Sequence, residues 1–533
     1  MQAGVRHSTI LSFFPTFLTN IMAHLESTNI LQRSWIQVHT ADNVVIATTA
    51  LAANTVLEVS GETVVLAEDV QAGHKIALRS LNTGEKVIKY GFPIGHATQT
   101  IPQGSWIHTH NLATDLNDTT EYAYHPIHDK PKTRYYQPRT FFGYKRRSGA
   151  VGTRNEIWVV NTVGCVNGLA EHIARMAHER WAVQERLVDG VFSFSHPFGC
   201  SQLGDDLDNT RRILAGLMRN PNAGGILVLG LGCENNQVKA LMELVRNDLD
   251  PARVRSFNTQ QVEDEIESGL QAVRELIEIA RHDKRIECSL SQLTIGVKCG
   301  GSDGFSGITA NALVGSITDA ITVAGGTVLQ TEVPEMFGAE HVLINRCKDK
   351  ATFEKFVAMI NGFKTYFLSH KQPVYENPSP GNKSGGLTTL EEKSLGAVQK
   401  GGTAVVKQIL SYGEPVDLYE RGLALVNAPG NDGVSSTAMT ASGATLLLFT
   451  TGRGTPLGFP VPTLKISSNS ALAQKKPHWI DFNAGVLLEG IPREEATERL
   501  LNLICAVASG IQRTNNELNG YREIAIWKEG VTL

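Results

Sequence analysis

Residues 224–248 read GGILVLGLGCENNQVKALMELVRND: an unbroken apolar run, a turn of Gly, Cys, Glu and Asn, then apolar residues at helical spacing. A strand that is apolar at every position has both faces buried, which happens in parallel sheets covered by helices. The same grammar recurs at EIWVVNTVGC (156–165) before NGLAEHIARMAHER (167–180), and at GVFSFSH (190–196) before DDLDNTRRILAGLMRN (205–220). Further apolar runs follow at LTIGVKC (293–299), TVLQTEV (327–333), LALVNAP (423–429), ATLLLFTTG (444–452) and TLKISSN (463–469), with a last helix near 493–509. The pattern predicts an α/β fold, with a large, Rossmann-like, mainly parallel sheet region.

The grammar is different before residue 143. From 35 to 112, alternating apolar residues are punctuated by Gly, Asn and Asp turns, which predicts a small N-terminal all-β module. Residues 113–142 are mostly polar and aromatic without an apolar period, and read as a linker or as an arm laid over another surface. The α/β region then spans 143–533, with a subdomain boundary expected near 375–400. Residues 1–34 read as an extension. Its segment STILSFFPTFLTNIMAHL (8–25) is faintly like a signal peptide but contains a proline and no clear small-x-small site, and Met22 suggests an over-long start.

Composition narrows the function. With 533 residues, 42% hydrophobic, 19% charged and a net charge of −4, the chain has a large core and no basic footprint for nucleic acid. No apolar run reaches the ~20 residues of a membrane helix. Seven cysteines without a CxxC argue against a zinc ribbon and for reduced thiols in the cytoplasm.

Four of those cysteines, Cys165, Cys200, Cys233 and Cys299, follow predicted strands directly. In an open parallel sheet, ligands bind outside the carboxyl ends of the strands, so these thiols are candidate ligands of a metal or cluster. The neighbouring loops add Asp205, Asp206 and Glu234, which either cap helices or contact a metal or hydroxyl groups. KCGGSDGFSG (298–307), NPSPGNKSGG (377–386) and TTGRGTP (450–456) suit a small hydroxylated acid, through Ser302, Asp303, Asn382, Arg453 and Thr455. Arg453 is the candidate for a carboxylate. His196, with Lys298 and Lys383 as rivals, is the candidate acid or base. His108 and His110 in WIHTHNL would share one face of a strand, as metal ligands or as closers of the site from the small module. A nicotinamide enzyme is disfavoured, because no strand is followed by a complete G-x-G-x-x-G.

GTRNEIWVVNTVGCVNG, FGCSQLGDD, LGLGCENNQ, CGGSDGFSGITAN, TEVPEMFGAE, ENPSPGNKSGGLTTLEEKSLG and FTTGRGTPLGFPVPTLKISSN together resemble the altronate/galactarate dehydratase family, from about residue 35 to the C-terminus. The resemblance implies a sugar-acid hydro-lyase that takes D-altronate to 2-dehydro-3-deoxy-D-gluconate in galacturonate breakdown. Galactarate or a related acid is the alternative substrate, and a non-catalytic sugar-acid-binding protein is the alternative of a different class. It also implies a SAF (β-clip) N-terminal module and dependence on Fe2+, with Mn2+ as a substitute. The strand-end thiols keep an iron–sulfur cluster as the alternative cofactor. The expected partner is a small sugar acid, and a homodimer is compatible with such an enzyme.

Overall fold

The computed structural model describes residues 34–127 and 138–533. The reading of residues 1–33 as an extension lies outside them, as does the middle of the linker.

The N-terminal module is built from short antiparallel strands. Trp35–Ile36, Val44–Ala47, Lys75–Ala77 and Trp106–Ile107 form one sheet, and Lys86–Lys89, Phe92–Ala97 and Leu112–Ala113 another. A hairpin, Val56–Val59 with Glu62–Val65, completes it. One side of this module packs on itself around Trp35, Leu57 and Val64. Its other side, with Ile36, Val44, Ile94 and Ile107, is continuous with the core of the C-terminal unit.

The parallel strands sort into two sheets. The first contains β1 (Glu156–Asn161), β2 (Gly190–Ser193), β3 (Ala223–Gly230) and β4 (Val254–Asn258), in the order β2-β1-β3-β4. Helices α1 (Asn167–Ala177) and α4 (Glu265–Ala280) cover one face, and α2 (Gly204–Arg219) and α3 (Val238–Val245) the other. Asp264 caps α4 by accepting from the N–H groups of Ile266 and Glu267.

The second sheet contains β5 (Thr294–Cys299), β6 (Thr327–Gln330), β7 (Val406–Leu410), β8 (Leu423–Val426), β9 (Leu446–Thr451), β10 (Thr463–Ser467) and β11 (Phe482–Asn483). Its order is β7-β8-β6-β5-β9-β10-β11, and every pairing is parallel. Helices α5 (Ala310–Val323) and α9 (Arg493–Ala508) bury one face, while α8 (Asp432–Ala441) covers the other.

The break between the sheets falls between Asn258 and Thr294. Strands Thr140–Lys145 and Ile286–Ser289 pair there, so the chain enters and leaves the four-stranded unit at one place. The stretch 375–400, expected as a boundary, lies inside the seven-stranded unit and carries α7 (Leu390–Ala397) against the N-terminal module. The described part of the linker is an arm on the C-terminal unit. Tyr122 donates to Glu340, Tyr124 to the Cys347 carbonyl, and the Ile127 N–H to the Asn345 carbonyl.

The units are joined through helices. Gly216, in the last turns of α2, lies against Ala441 at the end of α8, where a Cβ would come within 2.5 Å of the Ala441 carbonyl. Both helices follow strands of their own sheet. No helix among the described residues is long and apolar enough to cross a membrane.

Candidate active site

The neighbours of β5 are β6 on one side and β9 on the other, so the chain reverses its direction of growth at the β5–β9 gap. In open α/β sheets, ligands bind outside the carboxyl ends of the strands at such a switch point, which makes this edge the candidate crevice. Gly300 donates to the Thr450 carbonyl, and the N–H groups of Gly452 and Arg453 donate to the Gly301 carbonyl, which ties the loops after β5 and β9 together.

A charged cluster lies buried under this crevice. The Lys298 ammonium donates to Glu332 at 2.6 Å and to the Cys299 carbonyl at 3.0 Å, and pairs with Asp432 at 2.9 Å. Lys400 reaches the Cys299 sulfur at 2.8 Å and Glu332 at 3.0 Å. Lys393 reaches Glu335 at 2.8 Å and Asn377 at 2.9 Å. Glu332 holds its position at φ 71°, a left-handed conformation that costs a side-chain-bearing residue energy and that tends to mark functional sites.

Burial alone would strip the lysines of their protons, but the carboxylates around them win. Asp432, Glu332 and Glu335 carry Lys298 above its ordinary range, and Cys299 and Glu332 do the same for Lys400. The Cys299 thiol is pushed up to about 12 by burial and by Glu332 and Glu335, against Lys400 and Lys298. Glu335 is buried too, yet Lys393, Lys298 and Lys400 hold it below its usual range.

Cys299, Glu332 and Glu335 are also the one set of three His, Cys, Asp or Glu ligands, among the described residues, whose donor atoms all lie within 4.8 Å of one another. The Cys299 sulfur is 3.4 Å from Glu335 Oε2 and 3.7 Å from both Glu332 oxygens. One thiol with two carboxylates is a donor set for a divalent transition metal, and a bound dication would deprotonate the thiol. The set fits a metal.

A second lysine stands two strands away. Lys298 pairs in register with Phe449, and Phe449 with Lys465, so the three form a row across β5, β9 and β10. The ammonium groups lie 5.9 Å and 5.7 Å from the Phe449 ring centre. Lys465 is buried and donates to the Thr455 carbonyl, and burial brings it down to about 8, against Asp481, Glu523 and Asp432. Asp432 opens α8 beside Gly300, where a Cβ would stand 2.5 Å from its carboxylate.

The structure gives the other candidates varied settings. Asp303 accepts from Ser306, Ser468 and Asn469, and its carboxylate would collide with any Cβ at Gly452, so it fastens loops together. The Asn382 amide donates to the Ser302 carbonyl, and its oxygen accepts from Lys393 at 3.3 Å. Thr455 accepts from Leu457 N–H, while Arg453 is exposed at the crevice. Lys383 is half-buried, and its carbonyl accepts from His108 Nε2 at 2.9 Å.

His196 differs from expectation. It is buried, its Nε2 donates to the Asn161 carbonyl and its Nδ1 accepts from Phe198 N–H, so the backbone occupies both nitrogens. Burial also keeps it below its ordinary value. The HxH pair differs as well: the strand stops at Ile107, and His108–Asn111 is a turn closed by Asn111. His108 and His110 each lie against the Trp106 ring, and His108 also stacks on His74.

Glu234 turns inward to accept from Thr162, Leu231 N–H and Gly232 N–H, instead of capping α3. Asp206 accepts from Glu529 and Gly530 N–H and pins the C-terminal tail, whereas Asp205 is exposed. Cys165, Cys200 and Cys233 are exposed on the edge of the four-stranded sheet, and Cys299 is buried.

The sequence reading missed Glu332, Glu335, Lys393, Lys400, Asp432 and Lys465. Two signals were available: a lysine inside an apolar strand, in TIGVKC and TLKIS, and three successive charges in the buried helix LEEKSLGA.

Comparison with known proteins agrees with this architecture unit by unit. The family model "D-galactarate/Altronate dehydratase, C-terminal" matches residues 290–532. "D-galactarate dehydratase/Altronate hydrolase, second domain" matches 143–281, and "Altronate/galactarate dehydratase SAF domain" matches 33–115. An altronate dehydratase of Escherichia coli (strain K12) is 51% identical over 94% of this chain and 100% of its own length. One from Bacillus subtilis (strain 168) is 49% identical, also over 94% of this chain and all of its own. A galactarate dehydratase (L-threo-forming) of Escherichia coli (strain K12) is 33% identical over 92% of this chain and 96% of its own length. Three matched models in sequence order, each on its own structural unit, leave one conclusion: the chain belongs to the altronate/galactarate dehydratase family.

Proposed function

We propose that this protein is a hydro-lyase that removes water from D-altronate to give 2-dehydro-3-deoxy-D-gluconate, at the crevice above β5 and β9. The observation that carries the reading is the row Lys298–Phe449–Lys465, which holds one lysine charged and one near neutrality over a buried thiol–carboxylate set. Two like groups with separated proton affinities are what acid–base chemistry on one substrate needs.

Dehydration of a 2,3-dihydroxy acid takes a proton from C2 and expels the hydroxyl at C3. Lys465, as the free amine, takes the C2 proton, and the resulting ammonium returns it to the departing hydroxyl, so that water leaves. The permanently cationic Lys298, with Lys393 and Lys400 behind it, opposes the negative charge that builds on the substrate. Arg453 takes the substrate carboxylate from the open side of the crevice. The enol then tautomerises to the 2-keto acid. Cys299, Glu332 and Glu335 would hold Fe2+, with Mn2+ as a substitute, and the ion when bound supplies Lewis acidity.

A cytoplasmic location suits seven free thiols, three of them exposed. The deciding experiment incubates the protein with Fe2+, reductant and either D-altronate or galactarate, and follows 2-keto acid formation. Faster turnover of D-altronate is expected; preference for galactarate would reassign the substrate, and no product from either would reduce the protein to a binder.

A further inference from the structure

The four-stranded sheet has chemistry-bearing groups of its own that this reaction does not use. Cys165 follows β1, Cys200 follows β2 and Cys233 follows β3, on three strands that are neighbours in the sheet. All three thiols are free and exposed at its carboxyl edge.

Their loops are fastened to one another. Gly164 N–H donates to the Phe198 carbonyl at 2.8 Å, and Asn236 N–H to the Gly199 carbonyl at 2.9 Å. The Asn236 side chain donates to the Thr162 carbonyl at 2.9 Å, and Ser201 N–H donates to Asn235 at 3.0 Å. Gly199, at φ 101°, lies so close to the first loop that a Cβ would stand 2.0 Å from the Thr162 carbonyl. Each cysteine is therefore within a few residues of a bond to another cysteine's loop.

Three of the harder donors near this edge are already engaged, while Asp205 is exposed. Glu234 is engaged with Thr162 and backbone N–H groups, His196 with the backbone, and Asp206 with the C-terminal tail. The thiols are left as soft ligands. Two buried polar atoms in the same loops, Asn161 Oδ1 and Gln202 Nε2, lack any hydrogen-bond partner, in residues that are 0% and 2% exposed.

We propose that Cys165, Cys200 and Cys233 hold an iron–sulfur cluster of the [4Fe–4S] class. The three sulfurs do not all lie within 4.8 Å of one another, too loose a set for a single ion, whereas a cluster gives each thiolate its own iron. On binding, three thiol protons pass to solvent and three iron–sulfur bonds form. One iron is left without a protein sulfur, open to water or to an oxygen of a hydroxy acid. This site is separate from Cys299, Glu332 and Glu335, so it goes beyond the function proposed above.

The test uses the full chain, purified without oxygen and without substrate. About four irons and four acid-labile sulfides per chain, with absorbance near ~400 nm, are expected. Each of Cys165→Ser, Cys200→Ser and Cys233→Ser is expected to lose most of the sulfide and absorbance while melting like the parent, and Cys299→Ser to keep both. Iron without sulfide, or an undiminished cluster in any of the three variants, overturns the proposal. Should a variant fail to fold, the parent decides: stripped by a chelator and given Fe3+, sulfide and a dithiol that reduces half of the iron, it recovers the absorbance if the proposal holds and does not if it fails. A Cys299→Ser protein with an intact cluster and no turnover would count for both sites.

Discussion

Lys298 and Lys465 flank the ring of Phe449 on the two strands either side of β9, and their surroundings drive their proton affinities in opposite directions. Lys298 has three acceptors, two of them carboxylates, whereas Lys465 is desolvated by burial and has a carbonyl as its acceptor. The shared ring makes a direct test of this division feasible.

If Lys465 is the base, turnover rises with pH through about 8, where burial has brought its titration. Lys465→Gln should lower kcat by roughly 10²–10⁴-fold and abolish that limb of the profile. Stability has the same sign. Between about 8 and the ordinary 10.5 the unfolded chain keeps the proton and the folded one gives it up, so resistance to urea should grow with pH across that window. A flat profile in both measurements would remove Lys465 from the mechanism.

Lys393 donates to Glu335 at 2.8 Å, behind the proposed metal set. Lys393→Gln is expected to weaken Fe2+ or Mn2+ binding about 10–100-fold, as loss of an outer partner does. Calorimetric titration of chelator-treated protein measures this, and unchanged affinity would break the link between the two residues.

Arg453→Gln should raise KM for the sugar acid, because a charge-assisted contact is worth about 1.5–3 kcal/mol, or about tenfold to a hundredfold in kcat/KM. Inhibition by small carboxylates should weaken in parallel. Equal KM values in parent and variant would place the carboxylate elsewhere.

His196→Ala should cost about 1–3 kcal/mol in urea unfolding, since it leaves buried backbone groups unpaired. The pH profile of the remaining activity should match that of the parent. A lost limb would restore His196 to the chemistry.

Glu392 accepts from Lys75 at 2.9 Å and Lys89 at 2.7 Å, all three fully buried. Glu392→Gln removes the carboxylate that pairs with both ammonium groups, and a drop of about 3–5 kcal/mol is expected. Burial works against this carboxylate's charge, but the two lysines outweigh it and hold Glu392 well below its usual range. That stability is present above the ordinary carboxylate value and disappears as pH falls through the folded one.

The parallel sheets were legible because EIWVVN, AGGILVLG and LLLFTT are apolar on both faces. The split into two sheets was not, since strand order depends on pairing between distant runs. The loops that hold Ser302 and Arg453 stood out in the sequence for their Gly, Ser and Arg content after predicted strands, and they lie at the carboxyl ends of β5 and β9. The charged cluster was hidden because Glu332, Lys393 and Lys400 sit 33 to 101 residues from Cys299 and meet it only by folding. His196 misled for a related reason, as a histidine in a loop looks the same in sequence whether its nitrogens are free or taken.

Helix α7 begins Leu390-Glu391-Glu392-Lys393, and each charge faces a different part of the protein. Glu391 takes Thr114 and the Asp115 N–H from the arm, Glu392 takes two lysines of the N-terminal module, and Lys393 takes Glu335. Swinging the module away would leave the buried Glu392 carboxylate without either ammonium partner and with Thr388 alone donating to it. The module is therefore fastened to α7 through buried charges.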